Sequence, residues 1–204
     1  MPAAPKQRQP WPLKWIVVAI LLVIVPYTFL TLRYRKPGPA FQPHEDMKNR
    51  ANVARLLSAG YRRVPLSAQR PADGARPPGG ALIAQTPGGL PGELKTTLVE
   101  PPLLPVEILS VAAAARASAH QPYQIFLTCS LPDDRQQLGG AALYLRGEQL
   151  IVTPTFERVG GQLLTRTRQT VALLTVPPGT LAPGRYQVSL IAERTSRTWP
   201  LEVK

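Results

Sequence analysis

The chain predicts one apolar N-terminal helix followed by an all-β domain, an antiparallel β-sandwich. Three features carry that expectation. The stretch from Trp15 to Leu32 runs 18 residues without a charge. Beyond residue 106, apolar and polar residues alternate in short runs, the period of a half-buried strand. Those runs recur every 8–12 residues with turn residues between them, and seven or eight of them in about 100 residues suit two packed antiparallel sheets.

Residues 1–14, MPAAPKQRQPWPLK, are proline-rich and basic and predict an unstructured cytoplasmic tail. A transmembrane helix is expected over 15–32. At 1.5 Å per residue it would be about 27 Å long, against a hydrocarbon core of about 30 Å. A signal peptide would show a shorter apolar region and a small-residue cleavage site. Leu32-Arg33-Tyr34-Arg35-Lys36 offers no such site, so a retained anchor is expected. Trp11, Trp15, Tyr27 and Tyr34 suit the two bilayer interfaces, where amphipathic rings settle. Lys14, Arg33, Arg35 and Lys36 form a collar facing lipid head groups. Pro26 lacks the donor for the Leu22 carbonyl and should bend the helix there. Thr28 and Thr31 would help to satisfy the freed groups. With Ala19, they also offer small or polar positions for packing against another membrane helix.

Orientation rests on a narrow balance. Lys6, Arg8 and Lys14 precede the span and Arg33, Arg35 and Lys36 follow it, a draw under the positive-inside rule. No acid precedes residue 45, and a sandwich is a common extracytoplasmic domain, so the N-terminus is expected inside.

Residues 43–60 predict a juxtamembrane amphipathic helix, with Pro43 in its first turn and Gly60 as its C-terminal cap. Met47, Ala51, Ala54 and Leu57 fall on one helical face beside Lys48, Arg50 and Arg55. That stripe either packs on its own domain or lies on lipid or a partner. Residues 64–105 are dense in Pro and Gly and read as a linker. The sandwich is expected over 106–204. Strands are placed at 106–114 and 123–131, in a hairpin around Gly147, at 163–168 and 171–176, and at 185–194 and 198–204. Trp199, Leu201 and Val203 should point inward. Ser196 is expected at the surface, and truncating Arg197 is expected to cost little.

The formal charge of +12 is distributed as +6 over residues 1–36, +3 over 37–100 and +3 over 101–204. Half of the excess therefore flanks the span, and no concentrated basic face marks the rest. Nucleic acid is not an expected partner. Cys129 is the only cysteine and His44 and His120 the only histidines, too few for a zinc site. His120 lies at a turn, Asp133-Asp134 follow Pro132 as turn chemistry, and Cys129 points inward. No nucleophile elbow or phosphate loop is present. No enzymatic activity, cofactor or metal is therefore expected.

The run Leu181-Ala182-Pro183-Gly184-Arg185-Tyr186-Gln187-Val188 resembles the last strands of immunoglobulin-like sandwiches. This resemblance implies that Tyr186 forms a tyrosine corner, its hydroxyl bonding to backbone just upstream. The layout of Trp11-Pro12, a single span and a short juxtamembrane helix before a β-domain is similar to FixH-type accessory proteins of bacterial respiratory oxidases. The long Pro/Gly stretch and the solitary Tyr34 depart from that pattern. The similarity implies a single-pass protein of the bacterial inner membrane, with a periplasmic domain and an integral membrane partner. Two other roles remain open: an envelope module whose sandwich binds a peptide, glycan or metal, and an intracellular membrane-tethered adaptor.

Overall fold

The computed structural model describes residues 12–34, 43–71, 79–133, 135–158 and 168–204. Helix α1 spans Leu13–Tyr34 and continues through Pro26 without a break. Its window Lys14–Thr31 has a mean hydropathy of 2.1, and none of it is buried by its own chain. The Thr31 hydroxyl donates to the Tyr27 carbonyl at 2.6 Å and to the Thr28 carbonyl at 3.1 Å, not to the Leu22 carbonyl that Pro26 leaves free. The chain divides into two units, Met1–Pro43 and His44–Lys204.

The second unit begins with α2 (Pro43–Ser58), which ends where Gly60 takes a φ of +77°, a left-handed conformation that glycine adopts without strain. It then contains β1 (Arg62–Gln69), β2 (Ala84–Pro87), α3 (Gly92–Thr97), β3 (Glu107–Ala113), β4 (Arg116–Ala117) and β5 (Tyr123–Ser130). The remaining strands are β6 (Gln136–Arg146), β7 (Gln149–Arg158), β8 (Gln169–Val176), β9 (Gly184–Leu190) and β10 (Thr195–Val203). Of the strand expected at 163–168, residues 163–167 lie outside the described residues.

The strands do not form two facing sheets. They close into an eight-stranded barrel in the order β10-β3-β5-β8-β1-β6-β7-β9 and back to β10. The element that closes the ring is β1, from the stretch expected to be linker. Arg62–Leu66 pair with β6, whereas Ser67–Gln69 pair with β8, so one strand joins what would otherwise be separate sheets. Three pairings are parallel, β7 with β9, β10 with β3 and β10 with the short β4, against an all-antiparallel expectation. A ring of eight strands either fills with side chains or holds one small ligand, and here it is filled. Ile125, Leu127, Cys129, Leu143, Leu174, Leu190, Trp199 and Leu201 fill it. The β6–β7 turn at Gly147, with a φ of +54°, is the tight hairpin that the flanking alternation predicts.

The weakest join is between β10 and β3, which share a single ladder pair, Thr195 with Glu107. Arg197 spans it. Its Nε and Nη2 both donate to the Ile108 carbonyl at 3.2 Å, and Nη1 donates to Gln85 Oε1 at 3.1 Å. Arg197 therefore holds a seam and is not an incidental surface cation. Ser196 is buried, with its hydroxyl accepting from the Ala192 N–H at 3.3 Å, which corrects the expectation of a surface residue. Strand β2 lines the same edge by pairing with Thr195–Thr198.

Within 64–105, the described residues outside the strands also carry structure that a linker would lack. Leu94 on α3 is buried, as are Leu98 and Leu104. With Leu56 and Tyr61 they form a second apolar cluster against Ala142, Tyr144, Ile151 and Ile191. Strands β6 and β7 are thus covered on both faces. Glycine and proline density conceals this from composition, because the buried leucines are few and lie between Pro- and Gly-rich stretches.

Candidate functional site

The barrel interior has little reactive chemistry. The Trp199 indole N–H donates to the Tyr123 hydroxyl at 3.0 Å, and that hydroxyl donates to the Ala114 carbonyl at 2.9 Å. Burial pushes the Tyr123 hydroxyl up to about 12, with the Trp199 bond partly offsetting it. Burial likewise pushes the Cys129 thiol up to about 12, so at neutral pH it stays protonated and unreactive. His120 is exposed. Asp133 accepts the Arg135 N–H at 2.9 Å, ordinary turn chemistry, and Asp134 lies outside the described residues. Among the described residues no three His, Cys, Asp or Glu side chains gather as a metal site.

The Tyr186 hydroxyl donates to the Ala182 carbonyl, four residues upstream, at 2.9 Å. Trp199 is fully buried in the barrel. Pro26 sits inside α1.

The exposed chemistry is on the helices. On α1, Trp15 and Tyr27 are exposed, as are Lys14 and Arg33 at its two ends. Tyr34 ends the helix, and Trp11, Arg35 and Lys36 lie outside the described residues. A shallow groove on α1 is lined by Ile16, Ala19, Ile20, Val23 and Ile24. Thr28 is nine residues from Ala19, about 180° around a helix of 3.6 residues per turn. Ala19 and Thr28 therefore lie on opposite sides of α1. Any contact centred on Ala19 would use its isoleucine neighbours.

Helix α2 turns its predicted apolar stripe outward and anchors to the barrel unit through Leu56 and two polar residues. Its barrel side is Lys48, Asn52, Leu56 and Ala59. Lys48 Nζ lies 3.1 Å from Glu100 Oε2, Asn52 Oδ1 accepts the Val99 N–H at 2.7 Å, and Leu56 enters the outer cluster with Ala59 against it. The predicted stripe of Met47, Ala51, Ala54 and Leu57 is exposed, joined there by Val53. Asn49, Arg50, Val53, Ala54 and Leu57 line a shallow groove on that side. The sequence reading missed Asn52 and Leu56, although their spacing of four residues was visible. It missed them because one polar and one apolar residue do not make an apolar stripe.

A second cationic feature holds α3 in place. Arg146 lies over the Tyr61 ring at 5.1 Å, donates to the Tyr61 hydroxyl at 3.3 Å and pairs with Glu93. These contacts fasten the β6–β7 hairpin to the segments that cover it.

The geometry defines a class: a filled β-barrel domain in a chain that also bears one long, exposed apolar helix. No family model matches the chain, and it matches no curated protein and no solved structure.

Proposed function

We propose that this chain is a non-catalytic, single-pass accessory or assembly subunit of a membrane complex. In this reading α1 crosses the bacterial inner membrane with the N-terminus in the cytoplasm and the barrel in the periplasm. The observation that carries it is α1 itself: 18 consecutive residues of high hydropathy with no burial against their own chain. Such a helix is stable only in lipid or against another apolar surface. The filled barrel adds support, because function is then left to surfaces and not to an internal cavity. The similarity in layout to FixH-type proteins makes a respiratory oxidase the complex of choice. Kinship with immunoglobulin-like domains rests on the β9–β10 hairpin and the Tyr186 corner; the ring closure through β1 sets the barrel apart from that fold.

The test is co-purification in mild detergent from the native host, using tagged full-length protein. The native chain should retain an integral membrane partner. Replacing residues 15–32 by polyleucine should lose that partner while leaving the protein in the membrane. Retention by the polyleucine variant would favour an envelope module acting through the barrel. A cysteine at exposed Glu148 should react with a membrane-impermeant maleimide in intact spheroplasts. Labelling only after lysis would place the barrel inside.

A further inference from the structure

Helix α2 buries Leu56 against the domain that carries it and presents its other large apolar residues away from it. Met47 and Leu57 are 64% and 63% exposed, and Val53 is 49% exposed, while polar Asn52 faces the barrel. A helix that packs only on its own domain would point the other way. Between residues 47 and 58 the charged residues are Lys48, Arg50 and Arg55, with no acid among them. Lys48 is paired with Glu100, and Arg50 and Arg55 are exposed. The outer face is therefore apolar and basic together.

We propose that this outer face of α2 lies in the interfacial layer of an anionic bilayer. Met47, Val53, Ala54 and Leu57 meet the acyl boundary, and Arg50 and Arg55 meet head-group phosphates. The inference rests on α1 being a membrane anchor. Residues 35–42 alone separate the two helices, and an extended chain of that length reaches at most about 27–29 Å. An anchored α1 thus confines the start of α2 to the neighbourhood of the membrane surface. Charge complementarity selects lipid as the occupant, because any leaflet that carries anionic lipid attracts Lys and Arg held near its surface. The shape agrees. An interfacial helix needs only an apolar face flanked by cations, and the groove on this face is shallow, with Val53, Ala54 and Leu57 beside Arg50.

The test uses full-length protein in vesicles of phosphatidylcholine with phosphatidylglycerol. A nitroxide label is placed in turn at Ala54→Cys, Val23→Cys and Glu148→Cys, with Leu57→Cys repeating the reading on the same face. Native Cys129 is fully buried and escapes labelling while the barrel is folded. The label at residue 54 should collide several-fold more with oxygen than with a water-soluble nickel chelate, as at 23 and unlike at 148. In vesicles of phosphatidylcholine alone it should move toward water. Water exposure at 54 with lipid exposure at 23 overturns the docking and leaves the anchor intact. Water exposure at 23 overturns both. A label at 54 shielded from both reagents indicates protein contact and overturns the lipid assignment, and depth independent of lipid charge overturns the role of the arginines.

Discussion

The two apolar clusters of the barrel unit differ in how they are built. The inner one draws on alternate residues of neighbouring strands: Ile125, Leu127 and Cys129 on β5, Val188 and Leu190 on β9, Trp199, Leu201 and Val203 on β10. Each strand supplies a whole row, so the cluster follows from a period of two. The outer one is assembled from scattered single residues, Leu56, Tyr61, Leu94, Leu98 and Leu104, set on the outer face of β6 and β7. No local period announces it. In β6 the consecutive residues Ala141, Ala142, Leu143 and Tyr144 are all buried, the mark of a strand covered on both sides. The comparison teaches that the barrel is held by pattern, whereas its helical cover is held by individual anchors and specific polar contacts.

The comparison makes its largest prediction at the inner cluster. Trp199→Ala removes a fully buried indole and its bond to Tyr123, and should cost about 3–5 kcal/mol. Urea unfolding of the barrel measures it, and a midpoint equal to wild type would mean that Trp199 does not support the core. Leu56→Ala comes next, at about 2–4 kcal/mol for a buried leucine. Its effect should be local: faster amide exchange in α2 and around Leu94, with β5 and β10 still protected. Equal loss of protection throughout the barrel would show that the two clusters unfold as one and that the distinction is only spatial.

A pH series sharpens the contrast further, because Cys129 belongs to the inner cluster. Its thiol is held at about 12 in the folded state against an ordinary 9.0. Between those values the unfolded chain releases a proton that the folded chain keeps, so stability falls as pH rises through that window. Below about 9 neither state ionises there and the contribution is constant. Cys129→Ala should flatten the alkaline slope of the unfolding free energy, whatever the substitution costs at neutral pH. The smallest effect is expected at the rim of the outer cluster. Lys48→Ala breaks a pair whose side chains are 40% and 69% exposed, and should cost at most about 0.5 kcal/mol. A loss comparable to that of Leu56→Ala would make polar contacts, not apolar anchors, the main support of the cover.

Much of the molecule is legible without coordinates. The apolar length of 15–32 yields α1. Alternation yields the inward rows of β5, β9 and β10, and Gly147 marks the β6–β7 turn. These are properties of contiguous residues, decided by the backbone period and by which face is apolar. What alternation cannot specify is the neighbour of each strand. RRVPLSAQ at 62–69 carries two arginines and a proline, yet its Val64, Leu66 and Ala68 complete the barrel wall. Only the tertiary structure decided that β1 would close the ring, and that two sheets would become a barrel. The same holds for α2. Its sequence declares an apolar stripe, but the side that faces the barrel is chosen by Val99 and Glu100, which lie 47 and 52 residues away from their partners Asn52 and Lys48. Periodicity states which face of an element is apolar; which face is covered depends on groups brought together from elsewhere in the chain, and that is set by folding, not by local sequence.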